Sequence, residues 1–134
     1  MTRLAKGLDP GADEQPKCFW CPGHEDYEAY HDSEWGRPVK DDFRLFEKMV
    51  LEGFQAGLSW LTILRKRDNF GRAFKRFDFE KVARFTRSDV TRLVLARGIV
   101  RDRVKVEAAV KNANRGLEVA DEFGSLAKYL WCFE

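Results

Sequence analysis

The stretch from Asp42 to Trp60, DFRLFEKMVLEGFQAGLSW, constrains the fold more than any other, because it carries the densest helical repeat of large apolar residues. Phe46, Met49, Val50, Phe54, Leu58 and Leu61 recur at helical spacing, with Gly53 and Gly57 on the same face, which predicts a buried helix that a neighbour can approach closely. Glu52 leaves that stripe for a second one, shared with Leu45, Met49 and Ala56, with Trp60 two turns further on. A carboxylate in such company either reaches water or lines a cleft where it binds something, its proton affinity raised by desolvation. The repeat alone leaves both open.

The remaining text is also helical. Ser59 is placed to cap a helix over WLTILRKRDNF, Asp78 one beginning at Phe79, and Ser88 one reading DVTRLVLA that Gly98 stops. A long helix is expected from about Arg101 to Asp121, with Val106, Ala109, Val110, Ala113, Leu117 and Ala120 as its apolar face. Gly124 ends it, and Ser125 caps a last segment, LAKYLWCFE. Period-two strand patterns are almost absent, so the predicted fold is all-α, a compact bundle of short helices. With 134 residues the chain suits one domain. The opening MTRLAKGLDPGADEQPK is rich in charge, Gly and Pro without periodicity, and is predicted to be a disordered tail, residues 1–17.

Charge is unevenly spread. Residues 65–115 hold 16 Lys and Arg against 6 Asp and Glu, whereas 1–64 hold 7 against 12 and 116–134 hold 1 against 4. A strongly basic middle beside acidic flanks suits a surface for a polyanion, nucleic acid before membrane since no long apolar run exists; solvated helix faces are the plainer alternative. Within that middle, Leu95-Ala96-Arg97-Gly98-Ile99-Val100-Arg101-Asp102-Arg103 reads as a tight hairpin between helices. A turn entering a helix offers free backbone N–H groups and a positive dipole end to a phosphate, and Arg97, Arg101, Arg103 and Lys105 surround it.

Both histidines of the protein, two Trp, two Tyr and two of three Cys lie in CFWCPGHEDYEAYHDSEWGRP, residues 18–38. Cys18, Cys21, His24 and His31 are ligand-type residues, and the Cys-x-x-Cys spacing is one that zinc accepts. Two reduced thiols beside packed tryptophans would explain the same residues. A redox dithiol is disfavoured, since those motifs open a helix after a strand. Three cysteines and no secretory leader near Met1 predict a reducing compartment, hence the cytoplasm.

Cys18 with Trp20, YEAYHDSEWGRP (27–38), LFEKMVLEGFQAGLSWLTILRKR (45–67), FDFEKVARF (77–85) and the hairpin GIVRDRVK (98–105) together resemble the bacterial type I 3-methyladenine DNA glycosylases, of the helix-hairpin-helix superfamily. The resemblance covers nearly everything from Lys17 to Phe133. It implies a helical glycosylase-like domain over 18–134 that excises 3-methyladenine from alkylated double-stranded DNA by hydrolysing the N-glycosidic bond, acting as a monomer away from membranes. It also implies a damaged base held by Glu52, Tyr30 and Trp60 with Tyr27 nearby, Glu52 having the catalytic part. DNA would be gripped at Arg97, Gly98, Arg101, Arg103 and Lys105. A structural zinc ion is implied at Cys18 and His31. The family runs longer and supplies the remaining ligands from a C-terminal segment, so the domain is expected to be incomplete, with Cys21 and His24 as a possible local completion. Many relatives in the superfamily use an Asp beyond the hairpin; this subfamily does without it, so Asp121 is given no role. Two functions compete: an active glycosylase, and a truncated, inactive helix-hairpin-helix DNA-binding protein.

Overall fold

The structure is a computed structural model that describes residues 3–134. Where one domain is expected, contacts divide the chain into a first unit ending at Pro38 and a second spanning Val39–Glu134.

The first unit departs from the sequence expectation. Residues expected to form a disordered tail carry two short antiparallel strands, β1 (Leu8–Pro10) and β2 (Pro16–Cys18), paired in register Leu8 to Cys18. Neither strand has an alternating pattern; what fixes them is polar. Lys17 is 4% exposed, and its Nζ donates to Asp32 Oδ2 at 2.6 Å and to Asp13 Oδ2 at 3.2 Å. Glu28, 8% exposed, accepts from the Ala12 N–H through Oε1 at 2.8 Å. Gly11 lies between these side chains, where a Cβ would collide with Lys17 and with Glu28 Oε1, so only glycine fits. Helix α1 (Glu25–Ser33) completes the unit, with Glu25, Asp26 and Glu28 in its first turn where the dipole favours acid.

The second unit holds seven α-helices among the described residues: α2 (Asp42–Gln55), α3 (Trp60–Arg65), α4 (Arg67–Ala73), α5 (Phe79–Ala83), α6 (Arg87–Val94), α7 (Arg103–Phe123) and α8 (Leu126–Trp131). The helical expectation therefore holds. Its core gathers Phe46, Leu51, Phe54, Ile63, Phe70, Phe74, Val82, Leu93 and Val106, each at most 1% exposed. Phe54 meets Phe70 at 4.8 Å and Phe74 at 5.8 Å between ring centres, distances at which tilted rings attract.

Caps account for most boundaries. Asp41, Ser59, Asp78, Asp102 and Ser125 each accept from a backbone N–H two or three residues on. Gly124 closes α7 at φ 94°. Ser88 is not the cap of α6. Thr86 is, through a reciprocal box in which its Oγ1 accepts from Asp89 N while Asp89 Oδ2 accepts from Thr86 N at 2.8 Å. The expected helix after Ser59 is broken at Lys66 into α3 and α4. Between α4 and α5 the residues Lys75, Arg76 and Phe77 all take left-handed backbone angles, φ 54°, 55° and 62°, with Phe77 buried.

The helix at Asp42 is shorter than its apolar repeat. It ends at Gln55, so Leu58 lies beyond it, 39% exposed, and Met49 is 36% exposed, while Leu51 is fully enclosed. The close approach expected at Gly53 and Gly57 is absent: a Cβ at either would meet nothing within 4 Å. Gly57 is needed for another reason. Gln55 O accepts from Leu58 N at 2.7 Å, Ala56 has φ −51° and ψ 120°, and Gly57 has φ 79°, which is a type II turn requiring a left-handed third residue.

Candidate base-binding site and DNA-facing hairpin

The predicted base-binding residues fall in both units, two in each. In the first, Tyr27 and Tyr30 stand on α1, half-buried, with ring centres 6.4 Å apart. Trp20 meets Tyr27 at 4.9 Å and Tyr30 at 6.3 Å, and also touches His31 and Trp35. His31 stacks on Trp35 at 5.5 Å with 15° between planes. Five aromatic rings therefore form one cluster in 16 residues of sequence, giving the unit flat π faces on a rigid base. Burial pushes the Tyr27 phenol up from its ordinary range, so it stays protonated at neutral pH and can donate.

In the second unit Glu52 lies on the last turns of α2 and Trp60 is the first residue of α3. The type II turn at Gly57 joins them, and Gln55 Nε2 adds a bond to Leu58 O at 3.1 Å. Glu52 is exposed and Trp60 half-buried against the core. Of the two fates left open for Glu52, this is the carboxylate that meets solvent, with exposed Met49 and Ala56 as its apolar neighbours along the helix. An accessible carboxylate on a fixed helix end, one tight turn from an indole face, suits a flat ligand bearing positive charge or N–H donors.

The hairpin between α6 and α7 also belongs to the second unit. Arg97, Arg101 and Arg103 are exposed there, as a phosphate grip requires. Arg103 is partly engaged, 3.6 Å from Glu107 and donating to Thr91 Oγ1 at 3.5 Å. Gly98 serves packing: Asn69 Nδ2 donates to its carbonyl at 3.0 Å, and a Cβ at Gly98 would lie 2.9 Å from Asn69 side-chain atoms. Lys105 differs from the arginines. Its Nζ donates to Phe54 O at 3.0 Å and to Ala56 O at 2.6 Å, 51 and 49 residues away, tying α7 to the end of α2. Sequence reasoning grouped it with the arginines by proximity and had no signal for this tie.

The four ligand-type residues of the first unit are not a closed metal set. Cys21 is fully buried, its Sγ donating to Cys18 O at 3.3 Å, and burial raises its thiol pKa, which keeps it protonated. That is not the low-pKa thiol of a redox dithiol. His24 is exposed at the start of α1. His31 and Cys18 do approach: the Cys18 N–H donates to His31 Nε2 at 3.4 Å while Nδ1 faces Asp32 Oδ1 at 2.9 Å. A carboxylate behind Nδ1 is the usual partner of a metal-binding imidazole, while the Nε2 lone pair is here taken by the Cys18 N–H. Among the described residues no three His, Cys, Asp or Glu side chains converge to hold an ion. All three cysteines are free, and no described helix is long and apolar enough to cross a membrane.

Comparison with known proteins meets this geometry. The chain is 42% identical over 117 residues to the DNA-3-methyladenine glycosylase of Haemophilus influenzae and 44% identical over 117 residues to DNA-3-methyladenine glycosylase 1 of Escherichia coli, covering 87% of itself in each case. It spans 63% of the length of those curated relatives. Among solved structures it superposes with TM-score 0.81 and 42% identity on 3-methyladenine DNA glycosylase I from Staphylococcus aureus, over 83% of this chain and 59% of that one. A variant of 3-methyladenine DNA glycosylase I in complex with 3-methyladenine gives TM-score 0.81 at 41% identity, over 83% and 60%. The family model described as methyladenine glycosylase matches residues 20–134, which takes in the aromatic cluster, the α2–α3 turn and the hairpin together. With identity and fold agreeing over that span, the chain belongs to the methyladenine glycosylase family.

Proposed function

We propose that this chain carries out the glycosylase reaction on alkylated double-stranded DNA, releasing 3-methyladenine by hydrolysis of its N-glycosidic bond and leaving an abasic site. The observation that carries the reading is the turn between α2 and α3, which fixes an accessible carboxylate and an indole within nine residues of one another, Glu52 and Trp60. A purine methylated at N3 is cationic and already a good leaving group, so recognition matters more than strong acid catalysis. Glu52 accepts hydrogen bonds from the amino edge and favours the cation, while Trp60 offers a π face to an electron-poor ring flipped from the duplex; Tyr30 and Tyr27 are rings of the first unit suited to the same kind of stacking. Arg97, Arg101 and Arg103 grip the backbone around Gly98, contributing affinity without sequence preference.

Cys18 and His31 would supply two ligands of a structural zinc ion, with Asp32 orienting the imidazole. Cys21, enclosed and bonded to the Cys18 carbonyl, and the exposed His24 are not assigned as the other two, and no step is routed through the metal. Free cysteines suit a reducing compartment such as the cytoplasm.

Glu52→Gln tests the reading, because it keeps shape and removes charge. Its helical circular dichroism should match the unaltered chain, while affinity for free 3-methyladenine and release of methylated base from alkylated DNA both fall at least about tenfold, the loss of one charge-assisted hydrogen bond. Unchanged affinity would remove Glu52 from the site. DNA retained in full by a chain that releases no base would favour the inactive DNA-binding protein.

A further inference from the structure

The last carbonyls of a helix have no partner within it and stand at the negative end of its dipole. At the end of α2 two of them, Phe54 O and Ala56 O, converge on one ammonium, that of Lys105. The same residue is held at its backbone, since Asp102 Oδ1 accepts from Lys105 N at 3.3 Å as the cap of α7. Its aliphatic stem lines a small cleft of about 110 Å³ between α2 and α7, with Met49, Gly53 and Val104. One side chain thus spans from the hairpin's exit to the turn on whose two sides Glu52 and Trp60 stand.

We propose that Lys105 is a positioning residue for the base pocket and not a phosphate ligand: it braces the α2–α3 turn from the first turn of the helix that follows the DNA-facing hairpin. This rests on the reading of Glu52 and Trp60 as base-binding residues. An ammonium has three donors, and two of them are spent on helix-end carbonyls that lack a partner within α2. Reaching for a phosphate would uncap α2 and free the turn. A single cation placed between two carbonyls is also geometry that a guanidinium fork reproduces poorly. The brace makes the hairpin and the pocket parts of one mechanical path, so that strain on the hairpin during DNA binding reaches the residues that sort the base.

Lys105→Arg and Lys105→Met, made in the full 134-residue chain, separate the two roles. Amide hydrogen exchange at Leu58 and Thr62, whose N–H groups bond within this turn and the cap of α3, is the deciding measurement. Both variants should exchange there at least about tenfold faster and bind free 3-methyladenine about tenfold more weakly. The salt dependence of their affinity for undamaged duplex DNA should keep its slope. Should Lys105→Met lose its helical signal, Lys105→Arg, which retains the charge, carries the comparison alone. Unchanged exchange at both amides overturns the brace, as does a salt slope about one unit shallower in Lys105→Met with base affinity intact, the signature of a lost phosphate contact. If the unaltered chain binds no 3-methyladenine, the proposed function fails, yet the amides still judge the brace by the same rule.

Discussion

In the second unit Phe54, Phe70 and Phe74 are closed from water and meet ring on ring, and Phe46 meets Phe79, whereas the most enclosed described side chains of the first unit are Lys17, Cys21 and Glu28. The second unit is ordered by removing apolar surface from water, a drive that is non-directional and indifferent to pH. A first unit of 38 residues has too few large aliphatic residues for that, and orders itself by directed polar bonds and aromatic faces. The contrast teaches where tolerance lies. Apolar packing accepts substitutions of similar volume, but a lysine shared by two carboxylates accepts almost none.

The largest blow to the comparison should come from the packed side. Phe54→Ala removes a ring that is 1% exposed and should lower the stability of the second unit by about 3–5 kcal/mol, read from denaturant unfolding or from exchange of the Val82 and Val106 amides. A loss below about 1 kcal/mol would mean that the core is less tight than its burial indicates. Next comes Gly11→Ala, which places a methyl group into Lys17 and Glu28 and should cost the first unit about 1–3 kcal/mol, seen as lost exchange protection at Ala12. Full protection at Ala12 would show that the two side chains can move aside.

The smallest effect should be that of acid, and it sharpens the contrast. The Gln15 N–H and then Lys17 hold the Asp13 carboxyl below the usual carboxylate range, and Lys17 and then His31 do the same for Asp32. Groups depressed in the folded state stabilise it above their unfolded pKa, about 3.9, and that contribution is lost as pH falls through the lower folded values. Lys17 is raised, chiefly by its bond to Asp32, so its contribution is complete below about 10.4 and is lost as pH rises through the folded value. Between about pH 4 and pH 10 the contributions of Asp13, Asp32 and Lys17 should therefore all be in place. Below that window the NMR signals of the Ala12 amide and the Trp20 indole should broaden or shift before those of Val82. In the second unit the Asp89 carboxyl is lowered by the Thr86 N–H and hydroxyl at one helix start. Simultaneous loss in both units would dissolve the distinction.

Sequence reading succeeded where physics is local. A side chain two or three residues before a helix amide is enough to start a helix, which is why Ser59, Asp78 and Ser125 could be read as caps and Gly124 as a stop. Ser88 is not the cap because Thr86 forms a box with Asp89, a Thr-x-x-Asp signal that the sequence carries two residues earlier. Leu58 reads as inside because a repeat does not announce where a helix ends; the turn at Gly57 does. What stayed illegible joins distant residues. Lys17 with Asp32 is 15 positions apart, Lys105 with Phe54 is 51, and neither pair leaves a period in the text. The site residues themselves came from long shared strings, YHDSEWG and LEGFQAGLSW, rather than from any local rule.

The left-handed run at Lys75, Arg76 and Phe77 has a consequence for how substitutions in this chain should be weighed. Each L-residue held there costs roughly 1–2 kcal/mol relative to right-handed backbone. Phe77 offsets its share by filling the core, whereas Lys75 and Arg76 are exposed, Arg76 with part of its side chain over Gly71. At those two positions the usual ledger of residue preference is inverted: glycine, the poorest choice inside any neighbouring helix, is the least strained occupant, and a β-branched residue the most.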